Sequence, residues 1–257
     1  LCTPLEPFDM PLLDAHGATL AEDIYQGDRL VMKAGSRIRA TQIGLAASIG
    51  LDHLPTRPHP RVVVISAGPD LVEPGMEISG EQEYETNSWM LTTAVRETGA
   101  VAYRVHTIPD DEEALQSVIE DQLVRADLII ISGERHDDSF ALITRTLEKL
   151  GSITTVDIAI DSSGRHNYGT IGPDQTPVVT LPGDPIAAYI SFELLVRPMI
   201  RTMLGAATIH RPSVKAKLEK SVTSTPGLRS YLRGVLSEDG RSILPLGSQD
   251  EPSTLSD

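Results

Sequence analysis

Residues 129–151 read IIISGERHDDSFALITRTLEKLG: an apolar run, a serine and a glycine, then Phe140, Ile143, Leu147 and Leu150 at helical spacing before Gly151. An unbroken apolar run suits a strand covered on both faces, and spacings of three and four suit an amphipathic helix. The stretch therefore predicts strand, tight turn, helix. The same unit recurs from residue 61 onward, where VVVIS (62–66), VAYRVHTI (101–108), DLIIIS (127–132), VDIAI (156–160) and VVTL (178–181) read as short buried strands. Capped helices fall between them. Thr86 or Asn87 starts one that carries Met90, Leu91, Ala94 and Val95 on one face and ends at Gly99. Asp110 with Glu113 forms a capping-box-like start for another, with Leu115, Val118, Ile119 and Leu123. After the last strand, LPGDPIAAYISFELLVRPMIRTMLG (181–205) predicts a long helix capped by Asp184, with Pro185 in its first turn, Gly205 at its end and a kink at Pro198. Strands alternating with such helices predict a three-layer α/β fold, a mostly parallel sheet with helices on both faces.

The flanks differ. IAIDSSGRHNYGTIG (158–172) predicts a hairpin near the sheet edge, turning at SSG. Past Ile209 the runs VKAKLEK, RSYLRGVLS and RSILPLGS are broken by PG and EDG turns, which predicts a small C-terminal β domain with a hairpin at Glu238–Gly240. At the front, ATQIGLAASIGL (40–51) predicts a short helix and PTRPHP (55–60) a stiff linker. The expected domains are 1–60, 61–208 and 209–257.

Composition narrows the partners. The 257 residues carry a formal charge of -14, which opposes sequence-independent attraction to nucleic acid or to an anionic membrane surface. Cys2 is the one cysteine, so no intrachain disulfide forms, as in a reducing cytoplasm. No apolar run approaches the roughly 18 residues that span a bilayer, and nothing resembles a signal peptide. The chain starts at Leu1 rather than Met, which leaves room for an upstream segment.

Ligands of an open parallel sheet bind beyond the C-terminal ends of its strands. Three loops there pair glycine with hydroxyl or acidic residues: SAGPDLVEPG, SGERHDDS and LPGDP. They predict one crevice lined by Ser66, Gly68, Asp70, Ser132, Gly133, Gly183 and Asp184, where backbone N–H groups hold an anion. The same residue types also serve as tight turns and N-caps, the plainer account of Asp138 and Asp184 in any single loop. His136 beside Asp137 and Asp138 lacks the convergent spacing of a metal site and reads as a solvated loop. There is no GxSxG elbow, Walker loop or GxGxxG.

In order, RVVVISAGPDLVEPG, ETNSWMLTTAVRETGA, DLIIISG and LPGDPIAAYISFELLVRPMIRTMLG resemble the core of the MoeA family, the molybdopterin molybdenumtransferases that include the E domain of gephyrin. The last block is the most specific, close to the family's LPGNP and its FELFVRP helix. The resemblance implies a cytoplasmic homodimer acting in molybdenum cofactor biosynthesis. Such a protein binds adenylated molybdopterin and, with molybdate and magnesium, inserts molybdenum. It also implies a pocket of Ser66, Gly68, Asn87, Ser132, Gly133, Arg165, Pro182, Gly183 and Asp184, with Arg165 for phosphate. Asp70, Glu85 and Asp138 are the implied cation ligands, and no catalytic residue is assigned. The alternative it leaves open is a catalytically silent scaffold for a protein partner, as gephyrin's E domain is.

Departures from the family cluster in that pocket. The family's SGGxSxGxxD loop is here SGERHDDSFA, with Glu134 and Asp138 on former glycines and Ala141 at the aspartate. STGDELV has become SAGPDLV, the basic PGKP hairpin has become SSGR, and LPGNP has become LPGDP. At the front, 13–24 resembles the family's N-terminal helix and the start of its lid, and 28–51 the segment after the lid. The lid expected between Ile24 and Asp28 is missing from the sequence.

Overall fold

The computed structural model describes residues 2–106, 109, 111–133, 137–161 and 164–246, without the side chains of Asp137 and Asp138. The front of the chain forms strands β1 (Phe8–Pro11), β2 (Thr19–Leu20), β3 (Ile24–Gln26) and β4 (Arg29–Met32), helix α1 (Ala40–Ser48) and strand β5 (His53–Arg57). Strand β5 lies at the centre of an antiparallel sheet of order β1-β5-β2. PTRPHP is therefore not a linker at its start. Leu54 and Thr56 alternate into a small core with Ala15, Leu20, Ile38 and Ala46, and this burial outweighs the prolines. Residues 13–24 hold turns and β2 rather than a helix, and β3 and β4 pair across Gly27, where the lid was expected. Gly27 has φ 58, a left-handed turn conformation that glycine adopts without steric cost.

From residue 61 the order is β6 (Arg61–Ser66), β7 (Leu71–Val72), β8 (Glu83–Tyr84), α2 (Asn87–Thr98), β9 (Val101–Arg104), α3 (Glu112–Leu123), β10 (Leu128–Ser132) and α4 (Asp137–Leu150). It continues through β11 (Gly151–Asp157), β12 (Arg165–Ile171), β13 (Thr176–Leu181) and α5 (Pro185–Ser191), a π-helical segment (Phe192–Val196) and α6 (Arg197–Met203). Six strands make one sheet of order β11-β12-β13-β10-β6-β9. β13, β10, β6 and β9 run parallel, while β11 and β12 are the expected antiparallel edge hairpin.

Alternation along β6 builds both cores. Val62 and Val64 point to the layer of α2, α5 and α6, among Leu91, Val95, Phe192 and Ile200. Val63 and Ile65 point to α3 and α4, among Leu115, Ile119, Ile143 and Leu147. The three-layer arrangement predicted from the apolar runs is the one observed.

Boundaries moved where side-chain pattern alone was ambiguous. The strand read at 156–160 begins at Gly151, directly after α4, and ends at Asp157. A Cβ on Gly151 would lie 2.1 Å from the Thr170 carbonyl oxygen, so this glycine serves strand contact as well as helix termination. The strand read at 101–108 ends at Arg104, and residues 107 and 108 lie outside the described residues. Asp111 caps α3, accepting from the Ala114 N–H at 2.8 Å, and Asp110 lies outside the described residues. The long helix expected from 184 to 205 runs from Pro185 to Met203, and its irregularity is the wide π turn just before Pro198. Proline has no N–H for the carbonyl four residues back, and a π turn accommodates that break.

The C-terminal strands β14 (Lys217–Leu218), β15 (Gly234–Leu236) and β16 (Ser242–Pro245) form a small sheet, with β15 and β16 paired around the predicted EDG turn. The chain ahead of β15 meets the hairpin's connection through backbone bonds, the Arg229 N–H donating to the Ala159 carbonyl and the Asp161 N–H to the Arg229 carbonyl. No helix among the described residues is long and apolar enough to cross a membrane.

Phe192 is fully buried at the start of the π turn. Phe192→Ala is expected to lower stability by about 3–5 kcal/mol, the usual cost of deleting a buried aromatic ring, read from urea denaturation midpoints.

Candidate functional site: a crevice at the strand ends

β6 and β10 pair in register and finish together at Ser66 and Ser132, with Ser132 also opposite Leu181 of β13. Both serines are buried, and their Oγ atoms are 3.0 Å apart. Ser66 Oγ donates to Glu85 Oε1 at 2.6 Å, so the Ser132 hydroxyl is left to donate to Ser66. Glu85 Oε1 also accepts from the Ser88 N–H at 2.7 Å, and Oε2 accepts from Ser88 Oγ. The expected cap of α2 thus comes from neither Thr86 nor Asn87. Thr86 occupies the N-cap position without a side-chain cap bond, and Glu85 takes the orphan donor.

Arg104, at the end of β9, completes the cluster. Its Nε donates to Ser88 Oγ at 2.6 Å, Nη2 lies 3.5 Å from Glu85 Oε2, and Nη2 also pairs with Glu73. The Glu85 side chain is 1% exposed and that of Arg104 8%. A carboxylate so buried is tolerated because donors and an opposite charge surround it.

On the other flank Asn87 Nδ2 donates to the Gly183 carbonyl at 2.8 Å and approaches that of Pro182 at 3.5 Å. Those carbonyls set the amide's orientation. Its Oδ1 is buried and has no hydrogen-bond partner among the described residues. Asn87 lines a cavity of about 40 Å³ together with Leu71, Tyr84, Glu85, Gly133 and Gly183. A Cβ on Gly133 would lie 3.0 Å from Ser139 Cβ and 3.2 Å from Ile143 Cδ1, so a side chain there would push against α4. Asp184 Oδ1 accepts from the N–H groups of Ile186 at 3.1 Å and Ala187 at 3.0 Å, capping α5 as predicted.

The remaining predicted residues spread around the crevice. The Gly68 N–H donates to the Pro109 carbonyl at 3.1 Å. Arg165 opens β12, and its guanidinium carbon lies 4.9 Å from the Phe140 ring centroid. The half-buried Asp70 accepts from the Glu83 N–H through its carbonyl. Asp138 is in the first turn of α4, and its side chain lies outside those described. For magnesium the fit is poor: Glu85 spends both oxygens on Ser66, Ser88 and Arg104. Among the described residues no group of three or more His, Cys, Asp or Glu is placed to hold a metal ion.

Sequence reasoning missed Ser88, Arg104 and Glu73. A signal existed for the first, since Glu85 stands three residues before Ser88 at a helix start, the spacing of a side-chain cap. A larger apolar cavity of about 450 Å³ lies between α5 with its π-helical continuation and the chain just before β15, lined by Ile186, Tyr189, Leu194, Tyr231 and Arg233. It shares none of the three loops.

Beside the crevice, buried His166 joins β12 to α5. Its Nδ1 is 3.2 Å from the Gly164 carbonyl and its Nε2 is 3.0 Å from Ser191 Oγ. A carbonyl can only accept, so Nδ1 carries the proton and Nε2 accepts from Ser191. Burial holds the imidazole pKa below its ordinary value of 6.5.

Residues 64–202 match the family model described as a probable molybdopterin binding domain. The chain is 33% identical over 218 residues to molybdopterin molybdenumtransferase 1 of Mycobacterium tuberculosis, covering 85% of this chain and 51% of that protein. It is 34% identical over 235 residues to molybdopterin molybdenumtransferase 2 of the same organism, covering 88% of this chain and 56% of that protein. A molybdopterin biosynthesis MoeA protein from Pyrococcus horikoshii superposes with a TM-score of 0.73 at 31% identity, over 86% of this chain and 54% of that one. The open α/β fold is thus that of the family described as a probable molybdopterin binding domain. The chain belongs to that family. It spans about half the length of the curated relatives it matches.

Because the folded state disfavours protonated His166, the unfolded chain binds that proton more readily. The stability this neutral histidine contributes is present above pH 6.5 and is lost as pH falls from 6.5 toward the lower folded pKa. His166→Asn is expected to flatten that part of the stability profile, measured as the change in urea midpoint between pH 7.5 and 5.5 for both proteins.

Proposed function

We propose that the crevice binds a molybdopterin-type ligand and that the chain acts in molybdenum cofactor biosynthesis, in the molybdenum insertion its relatives are named for. Adenylated molybdopterin is the substrate, molybdate the cargo, and a cytoplasmic homodimer the working form. The observation that carries the reading is Asn87. Its amide is held by the Pro182–Gly183 carbonyls, and its buried Oδ1 stands without a partner among the described residues beside Gly133 and Gly183. Such an acceptor suits the N–H edge of a pterin, and the glycine turns let a phosphate approach backbone donors. Any magnesium in this reaction arrives on the ligand's phosphates. Nothing among the described residues or the relatives favours the scaffold alternative.

Calorimetric titration of the protein with adenylated molybdopterin and magnesium tests the reading. A micromolar Kd is expected, and absence of heat at saturating ligand overturns it. Asp184 adds a negative charge where the family has asparagine, and a like charge near phosphate at the crevice mouth costs about 1 kcal/mol. Asparagine caps a helix as well as aspartate. Asp184→Asn is therefore expected to tighten binding about fivefold in the same titration, at unchanged thermal stability.

A further inference from the structure

Trp89 is the single tryptophan in the chain, and it sits in the first turn of α2 with half its surface exposed. One face is already covered, since the Arg104 guanidinium carbon lies 4.2 Å from the ring centroid. Arg104 has little freedom to leave. Nε is bonded to Ser88, Nη1 lies 3.1 Å from His106 Nδ1, and Nη2 pairs with Glu73 and Glu85. A guanidinium anchored at all three nitrogens forms a stiff backing for the indole, worth more than a mobile cation because it is largely desolvated.

The location gives this pair its meaning. Arg104 ends β9 at the same end of the sheet as Ser66 and Ser132, and Asn87 lies two residues before Trp89 on the same helical turn. Asn87 faces the β13 loop through Gly183, and Trp89 faces the β9 side through Arg104. Asn87 lines the crevice, and Trp89 stands next to it on the β9 side, stacked on the guanidinium that pairs with the crevice-lining Glu85. Glu73 and Glu85 offset the arginine's charge, so the exposed indole presents a flat apolar surface rather than a cationic one.

The geometry points to Trp89 as a stacking platform for the planar nitrogen heterocycle of a phosphorylated ligand held in the crevice. This rests on the reading of the crevice proposed above and adds the residue that recognises a ring. Adenine and pterin share the required chemistry, a flat π system attached to phosphate. Stacking on the exposed face, with Arg104 behind, explains why a large aromatic side chain is left in water at a helix start.

The test titrates the full chain with adenosine monophosphate in one arm and nucleotide-free molybdopterin in the other, following Trp89 emission and calorimetric heat in parallel. At least one ligand is expected to bind and to quench the emission, and the quenching arm identifies the ring. Trp89→Ala should weaken that ligand roughly 5- to 100-fold, the range for loss of one base–aromatic stack, and Trp89→Phe should recover most of it. If Trp89→Ala does not fold, wild-type quenching and the affinity of Trp89→Phe decide instead. Calorimetric binding with unchanged emission, and with Trp89→Ala within twofold of wild type, overturns the platform and leaves the crevice reading intact. Emission that changes on dilution but not with ligand also overturns it, by making the indole a contact between copies. No heat in either arm overturns both.

Discussion

The buried carboxylate of Glu85 is the constraint on which the site depends. Taking an ionised group out of water costs several kcal/mol unless its oxygens are matched, and here Ser66, the Ser88 N–H, Ser88 Oγ and Arg104 match them. Those partners come from β6, α2 and β9, and Ser66 passes the connection to Ser132 of β10. One side chain thereby ties the ends of three parallel strands to the first turn of a helix. Fixing that turn sets Asn87 into the crevice and Trp89 against Arg104.

The central fold was legible because its signals are local and redundant. Runs such as VVVIS and LIIIS can be buried on both faces only in a covered parallel sheet, and the periodic helices between them leave few topologies. Legibility failed where one residue served two purposes. Gly151 ends a helix and also lets a strand approach Thr170 closely, and the sequence displays only the first role. Pro55 reads as a breaker, yet Leu54 and Thr56 on either side bury fully in a sheet whose other strands lie far away in the chain.

The site was legible to the level of loops and not of bonds. A parallel sheet directs attention to the residues after β6, β10 and β13, and the crevice is there. The internal wiring depends on pairs distant in sequence: Ser66 and Glu85 are 19 residues apart, Ser66 and Ser132 are 66 apart, and Asn87 and Gly183 are 96 apart. The family resemblance implied Glu85 as a cation ligand, whereas its partners make it the fastening of a helix. Arg104 carried no signal because an arginine at a strand end is ordinarily solvated.

The altered loops and the intact wiring bear on recognition in opposite directions. Asp184 Oδ1 engages the Ile186 and Ala187 N–H groups, so the donors at the start of α5 are already in use by a carboxylate. In a chain of net charge -14, a phosphate near LPGDP meets added repulsion and fewer free donors than it would beside a glycine turn alone. The Asn87 acceptor and the indole backed by Arg104 carry no net charge and are indifferent to that repulsion. On the proposed function, ligand affinity in this chain therefore rests more on the heterocycle, held by hydrogen bonding and stacking, and less on the phosphate, which mainly sets orientation.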